Sequence, residues 1–160
     1  MKRIDINIAE QVLRLYDGDT LLFSASVSTA KNGAGEMNAS ECTPRGEHEI
    51  HEMIGEGCEE GSVFIGREAT GEVYSELLAE QHPDRDWILS RIIWLTGCEQ
   101  GLNKGGDVDS KNRYIYIHGT PDSEPMGIPL SHGCIRMRNH DVVDLYDQLE
   151  TGLPVMINED

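Results

Sequence analysis

Hydrophobic and polar residues alternate along the beginning of the chain. In IDINIA, from Ile4 to Ala9, isoleucines occupy every second position, and QVLRLYDGDTLLFSASVS places two strand-like runs around Asp17-Gly18-Asp19. A period of two residues is typical of half-buried strands, and an Asp-Gly pair between two such runs favours a hairpin turn. The pattern therefore predicts that the first part of the chain forms β-strands that include a hairpin.

Two later segments are apolar almost throughout. DWILSRIIWLTG, from Asp86 to Gly97, and RYIYIHG, from Arg113 to Gly119, are rich in β-branched and aromatic residues. This composition favours buried strands over helices, and the second strand would carry His118 at its end. A further strand is predicted over 47–54, SVFIG and LPVMI each indicate another, and a short helix is predicted around 74–81.

One longer helix is predicted near the C-terminus. Its apolar residues recur at helical spacing: Val142, Leu145, Tyr146 and Leu149. Asn139 is a suitable N-cap, and Gly152 and Pro154 would end the helix. Because no repeat, linker or change of composition divides the sequence, we expect residues 1–160 to form one mostly β domain.

The charge of the chain limits its partners. Its 160 residues include 13 Lys and Arg against 29 Asp and Glu, a net charge of −16. Nucleic acid is not an expected partner, because phosphate binding needs clustered cations, and any anionic ligand must meet a locally basic pocket. No apolar segment is long enough for a membrane span or a signal-peptide core. With Met1 as the natural start, these features predict a cytoplasmic protein without membrane contact.

One of the four cysteines has neighbours that could activate it as a nucleophile. Cys134 lies in PLSHGCIRMRNHD, whereas the other three lack such a setting and none forms a CxxC pair, so free thiols are expected. A thiol attacks as its thiolate, so it needs a base or a positive charge nearby, and backbone donors for the oxyanion. His118 is a candidate base, and Arg136 could favour the thiolate or bind a carboxylate. Ser131 could orient His132 by a local hydrogen bond.

These residues resemble the signature of the L,D-transpeptidase (YkuD) catalytic domain. The matching pieces are His118-Gly119-Thr120, Gly127 and the block SHGCIR from Ser131 to Arg136. VSTAKN and TPRGEHEI, within 27–50, and WILSRIIWLTG are also similar to that family, so the resemblance spans nearly the whole chain.

The resemblance implies a fold and a set of roles. The expected fold is a β-sandwich-like catalytic domain with one main helix after the catalytic cysteine. Cys134 would be the nucleophile and His118 the general base, with the Gly119 carbonyl orienting the imidazole. His132 would assist near the substrate, and the amides of His132, Gly133 and Cys134 would form the oxyanion hole. No cofactor and no metal is implied.

Within this family, the sequence is most like a cytoplasmic L,D-carboxypeptidase. Such an enzyme removes the terminal D-alanine from muropeptide or free stem tetrapeptides, at the diaminopimelate–D-alanine bond, through a thioester on the cysteine during peptidoglycan recycling. The lack of an export signal favours water as the acceptor. The alternative is an L,D-transpeptidase, which uses an amine acceptor and forms cross-links. Carbapenem-type inhibitors are expected to acylate Cys134.

Other interpretations remain open at this point. A zinc hydrolase could use His118, His132 and Cys134 as ligands, although no spacing in the sequence requires a metal. A module that binds muropeptides without catalysis is a third class, and the intact His and Cys set counts against it. Arg136 could pair with Asp141 or Asp144 instead of a substrate, and His132 could hold only the turn.

Overall fold

The computed structural model describes residues 1–160. The strands are β1 (Lys2–Asn7), β2 (Val12–Asp17), β3 (Thr20–Ser28), β4 (Gly46–Ile54), β5 (Ser62–Ile65), β6 (Glu68–Val73), β7 (Ile88–Gly97), β8 (Tyr116–Thr120), β9 (Ile135–Arg138) and β10 (Pro154–Asn158). The α-helices are α1 (Glu76–Gln81) and α2 (Asn139–Tyr146), and Gly106–Val108 form a short 3-10 helix. Neither α-helix has the length and apolar character needed to cross a membrane.

All strands belong to one sheet that curls on itself. Their order is β4-β10-β1-β2-β3-β9-β8-β7-β5-β6, and β4 pairs with β7 as well as with β10. The strands from β4 round to β7 therefore form a closed circuit, from which β5 and β6 extend as a hairpin. The predicted mostly β fold with one main helix is confirmed, and its packed faces come from a single curled sheet.

β8 and β9 have two faces, one towards the main core and one away from it. Successive residues of each strand alternate between these faces. Ile117 and Ile135 pair with each other and are completely buried in the main core, to which α2 also contributes. Tyr116, His118 and Arg136 occupy the alternate positions, because successive side chains of a strand point to opposite faces. Tyr116 packs in a separate small cluster. The candidate chemistry thus lies on the face away from the main core.

Several local features differ from the sequence prediction. β6 was not predicted, and α2 ends at Tyr146, before Leu149. Residues Ile135–Arg138 form β9, which was not predicted because its arginines obscure a pattern of four residues. Asn139 is not the N-cap of α2: Arg138 occupies that position without a side-chain hydrogen bond, and Asn139 is the first helical residue. The Asn139 amide is instead buried and bonded to other elements.

Candidate active site around Cys134

The parallel pairing of β8 and β9 brings His118 and Cys134 together. His118 pairs with Arg136, and Cys134 lies two residues before Arg136, diagonally opposite His118 and on the same face. Diagonal neighbours in a sheet are roughly 7–8 Å apart, within reach of an imidazole and a thiol. Two separate segments of the sequence therefore meet on one face of the sheet.

The turn before Cys134 depends on a glycine and a threonine. Gly133 has φ of 132°, a backbone conformation that residues with a side chain rarely adopt. A Cβ at this position would lie 3.3 Å from the Cys42 carbonyl oxygen. The hydroxyl of Thr43 donates to the Gly133 carbonyl at 2.9 Å and accepts from the Ala30 N–H at 2.9 Å. Thr43 is completely buried, so it joins the loop before β4 to the turn that carries the cysteine.

We expect Thr43→Val, which keeps the shape of the side chain, to lower the free energy of unfolding by about 1–3 kcal/mol because it leaves the Gly133 carbonyl and the Ala30 N–H unsatisfied. Activity should fall as well, since the turn loses its anchor. Chemical denaturation measures the first effect. The exposed Thr20, changed to valine, is the control, and equal stability of the two variants would contradict this role.

Ser131 stabilises the turn itself and does not bind His132. Its hydroxyl donates to the Cys134 carbonyl and accepts from the Gly133 N–H at 3.2 Å. Of the three amides predicted for the oxyanion hole, that of Gly133 is thus engaged within the turn. The N–H groups of His132 and Cys134 have no acceptor in the protein, so these two remain available to an oxyanion. The His132 side chain is exposed at the rim of the site.

The Cys134 sulfur lies between two backbone groups of the segment that leads into β8. The Tyr116 N–H donates to Sγ at 3.3 Å, and the thiol donates to the Tyr114 carbonyl at 3.3 Å. Burial raises the pKa of Cys134 to about 11, and the Asp86 carboxylate adds to this, against the opposing effects of the Tyr116 N–H, Arg136 and Arg113. At pH 7 only about one thiol in 10⁴ would be ionised. The resting Cys134 side chain is therefore a thiol, whereas the sequence suggested a thiolate.

His118, the predicted base, is buried with one ring nitrogen engaged. The residue is 2% exposed, and its Nδ1 lies 2.6 Å from the Gly119 carbonyl oxygen. A carbonyl only accepts, so Nδ1 carries the hydrogen and Nε2 is free to act as a base. Burial lowers the pKa of His118, so the ring is neutral at pH 7. No hydrogen bond joins Nε2 to Sγ in this resting arrangement, in which the thiol faces the Tyr114 carbonyl.

Arg136 pairs with a residue that the sequence did not suggest. Its Nη2 lies 3.4 Å from Oδ1 of Asp86, and neither Asp141 nor Asp144 contacts it. The reason is the register, which puts Arg136 opposite His118, whereas the two other acids lie on α2. The Arg136 side chain is 12% exposed and that of Asp86 is 56% exposed. The guanidinium therefore lies at the site with only one long ion pair.

A pocket of about 220 Å³ opens onto Cys134. Its lining comprises Asn38, Ala39, Glu41, Arg113, Ile115, His132 and Cys134. Arg113 fixes the loop that forms one wall, since it donates to the carbonyls of Glu36 at 3.2 Å and Cys42 at 2.7 Å. No sequence pattern indicated this function of Arg113, although the residue begins the conspicuous RYIYIHG segment.

A second arginine that no sequence motif indicated, Arg67, packs on aromatic rings beside the site. The Arg67 guanidinium is 4.8 Å from the centre of the Tyr114 ring and 5.1 Å from that of Trp94, and it donates to the Tyr116 hydroxyl at 3.2 Å. Arg67 thus contacts Tyr116, whose small cluster Cys134 also packs against, whereas Arg113 and Arg136 are the arginines that act on the thiol itself.

No three His, Cys, Asp or Glu side chains converge in a group that could hold a metal ion. His118, His132 and Cys134 therefore do not form a three-ligand cluster in this conformation. All four cysteines are free thiols.

Comparisons with known proteins agree on the family. The sequence profile of the YkuD family, the L,D-transpeptidase catalytic domain, matches residues 1–157. A Bacillus subtilis protein assigned as L,D-transpeptidase YqjB is 42% identical over 57 residues, which cover 35% of this chain and 32% of that protein.

Solved structures show the same fold at lower identity. An L,D-transpeptidase from Mycobacterium smegmatis has a TM-score of 0.56 at 18% identity over 98% of this chain and 58% of its own. L,D-transpeptidase 3 from Mycobacterium tuberculosis, in complex with a faropenem-derived adduct, has a TM-score of 0.60 at 15% identity over 99% of this chain and 60% of its own. The chain thus spans about a third of the Bacillus protein and three fifths of these structures.

Proposed function

Because the chain belongs to the YkuD family of L,D-transpeptidase catalytic domains, we propose that it is a cysteine-dependent L,D-carboxypeptidase. It removes the terminal D-alanine from muropeptide or free stem tetrapeptides, at the diaminopimelate–D-alanine bond, during peptidoglycan recycling. The observation that carries this proposal is the position of Arg136 opposite His118, on the face of Cys134. A substrate that ends in D-alanine brings a free carboxylate to this guanidinium.

In the first step, His118 Nε2 takes the thiol proton while Sγ attacks the carbonyl carbon that precedes D-alanine. The S–C bond forms, and the N–H groups of His132 and Cys134 stabilise the oxyanion. Collapse breaks the C–N bond, and His118 returns its proton to the departing amine. Water then attacks the thioester, with His118 again as the base, and Cys134 leaves as the restored thiol.

The neutral resting pair makes general-base catalysis essential to this scheme. Burial raises the pKa of Cys134 to about 11, and it lowers the pKa of His118. A preformed ion pair is therefore disfavoured, and proton transfer must accompany attack. A rotation of the Cys134 side chain from the Tyr114 carbonyl towards Nε2 would precede the transfer.

The charge around Cys134 supports an anionic peptide as the substrate. Arg113 and Arg136 lie near Cys134, while the chain as a whole carries a net charge of −16. The overall charge opposes attachment to anionic polymers and membrane surfaces, whereas the local arginines attract carboxylates. This contrast supports small soluble substrates, so we include a cytoplasmic location in the proposal, which cell fractionation would test.

We expect Arg136→Gln to raise KM by about tenfold or more for a peptide that ends in free D-alanine, because one charge-assisted hydrogen bond contributes about 1.5–3 kcal/mol. A peptide that ends in D-alanine amide, which lacks the charge, should be affected far less. Steady-state kinetics on the matched pair of peptides measures the difference. Equal loss on both peptides would assign Arg136 to the chemistry and not to carboxylate recognition.

The second candidate function is L,D-transpeptidation, which the names of the similar proteins favour. The acyl-enzyme would be the same, but an amine would take the place of water. Mass spectrometry of products from a diaminopimelate tetrapeptide separates the two. Tripeptide and free D-alanine support the carboxypeptidase, and a cross-linked dimer supports the transpeptidase.

The same assay distinguishes the remaining classes. A metal chelator should leave turnover unchanged, whereas loss of turnover that zinc restores would favour a zinc hydrolase. Tight binding of the tetrapeptide without any product would favour a binding module. As in the faropenem-derived adduct of the Mycobacterium tuberculosis protein, a carbapenem-type inhibitor is proposed to react covalently with this chain, at Cys134.

A further inference from the structure

The strand beside β8 carries an irregularity at the level of the proposed base. The register of β7 against β8 shifts at the His118–Gly119 peptide, where Ser90 and Arg91 are inserted on β7 without partners on β8. Ser90 is completely buried and has φ of 71°. Such a conformation costs a non-glycine residue on the order of 1–3 kcal/mol, and bulges beside active sites commonly redirect a side chain.

The Ser90 hydroxyl links three parts of the fold. It accepts a hydrogen bond from the Gly61 N–H at 2.9 Å and donates to Oδ1 of Asn139 at 2.6 Å. The Asn139 amide is 5% exposed, and its Nδ2 donates to the Thr120 carbonyl at 2.9 Å and to Asp122 at 3.2 Å. Side chains from β7 and α2 therefore bind the end of β8.

The Asn139 amide also packs against Gly119, whose carbonyl orients the His118 imidazole. A Cβ on Gly119 would lie 2.5 Å from Oδ1 of Asn139 and 2.6 Å from the Leu89 carbonyl oxygen, so only glycine fits. The Gly119 carbonyl is the group that binds His118 Nδ1 at 2.6 Å. The position of the Asn139 amide thus limits where the Gly119 carbonyl can lie.

We propose that Ser90 and Asn139 are positioning residues for His118. Through the Gly119–Thr120 backbone, they hold the carbonyl that keeps the hydrogen on Nδ1 and leaves Nε2 free. Removal of the Ser90 hydroxyl leaves the Asn139 oxygen without its donor in a buried site, so the amide is free to move. The backbone that it supports then loses its fixed position.

The decisive variant is Ser90→Gly. Glycine adopts a positive φ without strain, so this variant favours the same backbone conformation at position 90 and removes only the hydroxyl group. We expect kcat for the tetrapeptide to fall about tenfold or more with little change in KM. The ¹⁵N signals of the His118 ring should shift from a single Nδ1–H tautomer towards a mixture. Burial lowers the pKa of His118 and the Gly119 carbonyl partly opposes this, so the acid limb of kcat should move to lower pH.

Ser110→Ala is the matched control. Ser110 is also completely buried, and its hydroxyl bonds to the ring of His48 at 2.8 Å, in a part of the molecule that the mechanism does not use. It should lower stability without moving the His118 signals or the pH profile. Unchanged His118 signals in Ser90→Gly, or the same kinetic change in Ser110→Ala, would overturn the positioning role.

The kinetic part of this test rests on the proposed function, but the ring signals do not. If the chain releases no D-alanine and Ser90→Gly still shifts the His118 signals, the carboxypeptidase proposal fails and the positioning role stands. If D-alanine is released and neither kcat nor the signals respond to Ser90→Gly, only the positioning role fails.

Discussion

Cys134→Ser should abolish release of D-alanine, with a loss of at least roughly 10³-fold in kcat, the scale seen when an enzyme nucleophile is removed. The serine hydroxyl fits the same space but is a far weaker acid than a thiol. The backbone groups of Tyr114 and Tyr116 can bind it as they bind the sulfur. Circular dichroism and the thermal midpoint should therefore stay close to the wild-type values.

Cys58→Ala provides the matched control for this loss. Cys58 is a free thiol that packs, like Cys134, against the small cluster around Phe64 and Tyr116. It plays no part in the mechanism and should leave turnover intact. Intact-protein mass spectrometry should show one carbapenem-type adduct on the wild type and on Cys58→Ala, but none on Cys134→Ser. Full turnover in Cys134→Ser would refute a cysteine mechanism.

His118→Asn should lower kcat/KM at pH 7 by about 10²–10⁴-fold, the usual contribution of a general base. The thiol would then react only through its ionised fraction, which rises tenfold with each pH unit until its pKa of about 11. The variant should therefore recover activity as the pH rises. The wild type should stay nearly constant above pH 6.5, because burial lowers the pKa of His118 and the ring is already neutral there.

These two pH profiles decide whether His118 is the base. If kcat/KM of His118→Asn were independent of pH between 7 and 10, general-base catalysis by His118 would be contradicted. So would a wild-type acid limb centred above pH 6.5, since protonation of His118 must occur below its ordinary pKa. His140→Asn is the control, because that side chain is 76% exposed and lies on the helix surface.

The sequence predicted the elements whose local pattern is strong. Alternating isoleucines indicated β1, and the apolar run around Ile92 indicated β7, because burial of a strand needs only the right residue types in order. The Cys134 turn stood out in the sequence by its residue types, and the chemical roles assigned to them stay predictions. Residues Ile135–Arg138 were missed because four residues that include two arginines show too little pattern to reveal a strand.

The prediction for Asn139 shows where local rules are insufficient. Asparagine before a helix is a good N-cap by propensity, yet its amide is used by Ser90 and the Thr120 carbonyl. Those partners lie on strands that are distant in sequence. The pairing of Arg136 with Asp86 instead of Asp141 has the same origin, because the register of β9 on β8 directs the side chain.

The sequence by itself determined that this is a mostly β chain whose one distinctive thiol has a histidine, a glycine turn and an arginine within two short segments. Only the tertiary structure decided that the thiol and the imidazole rest in their neutral forms, that a bulge on β7 lies beside His118, and that Arg113 and Arg136 lie near Cys134. The physical reason is that residue types and their periodicity are local properties. Desolvation, strand register and contacts between side chains arise only when distant segments pack together.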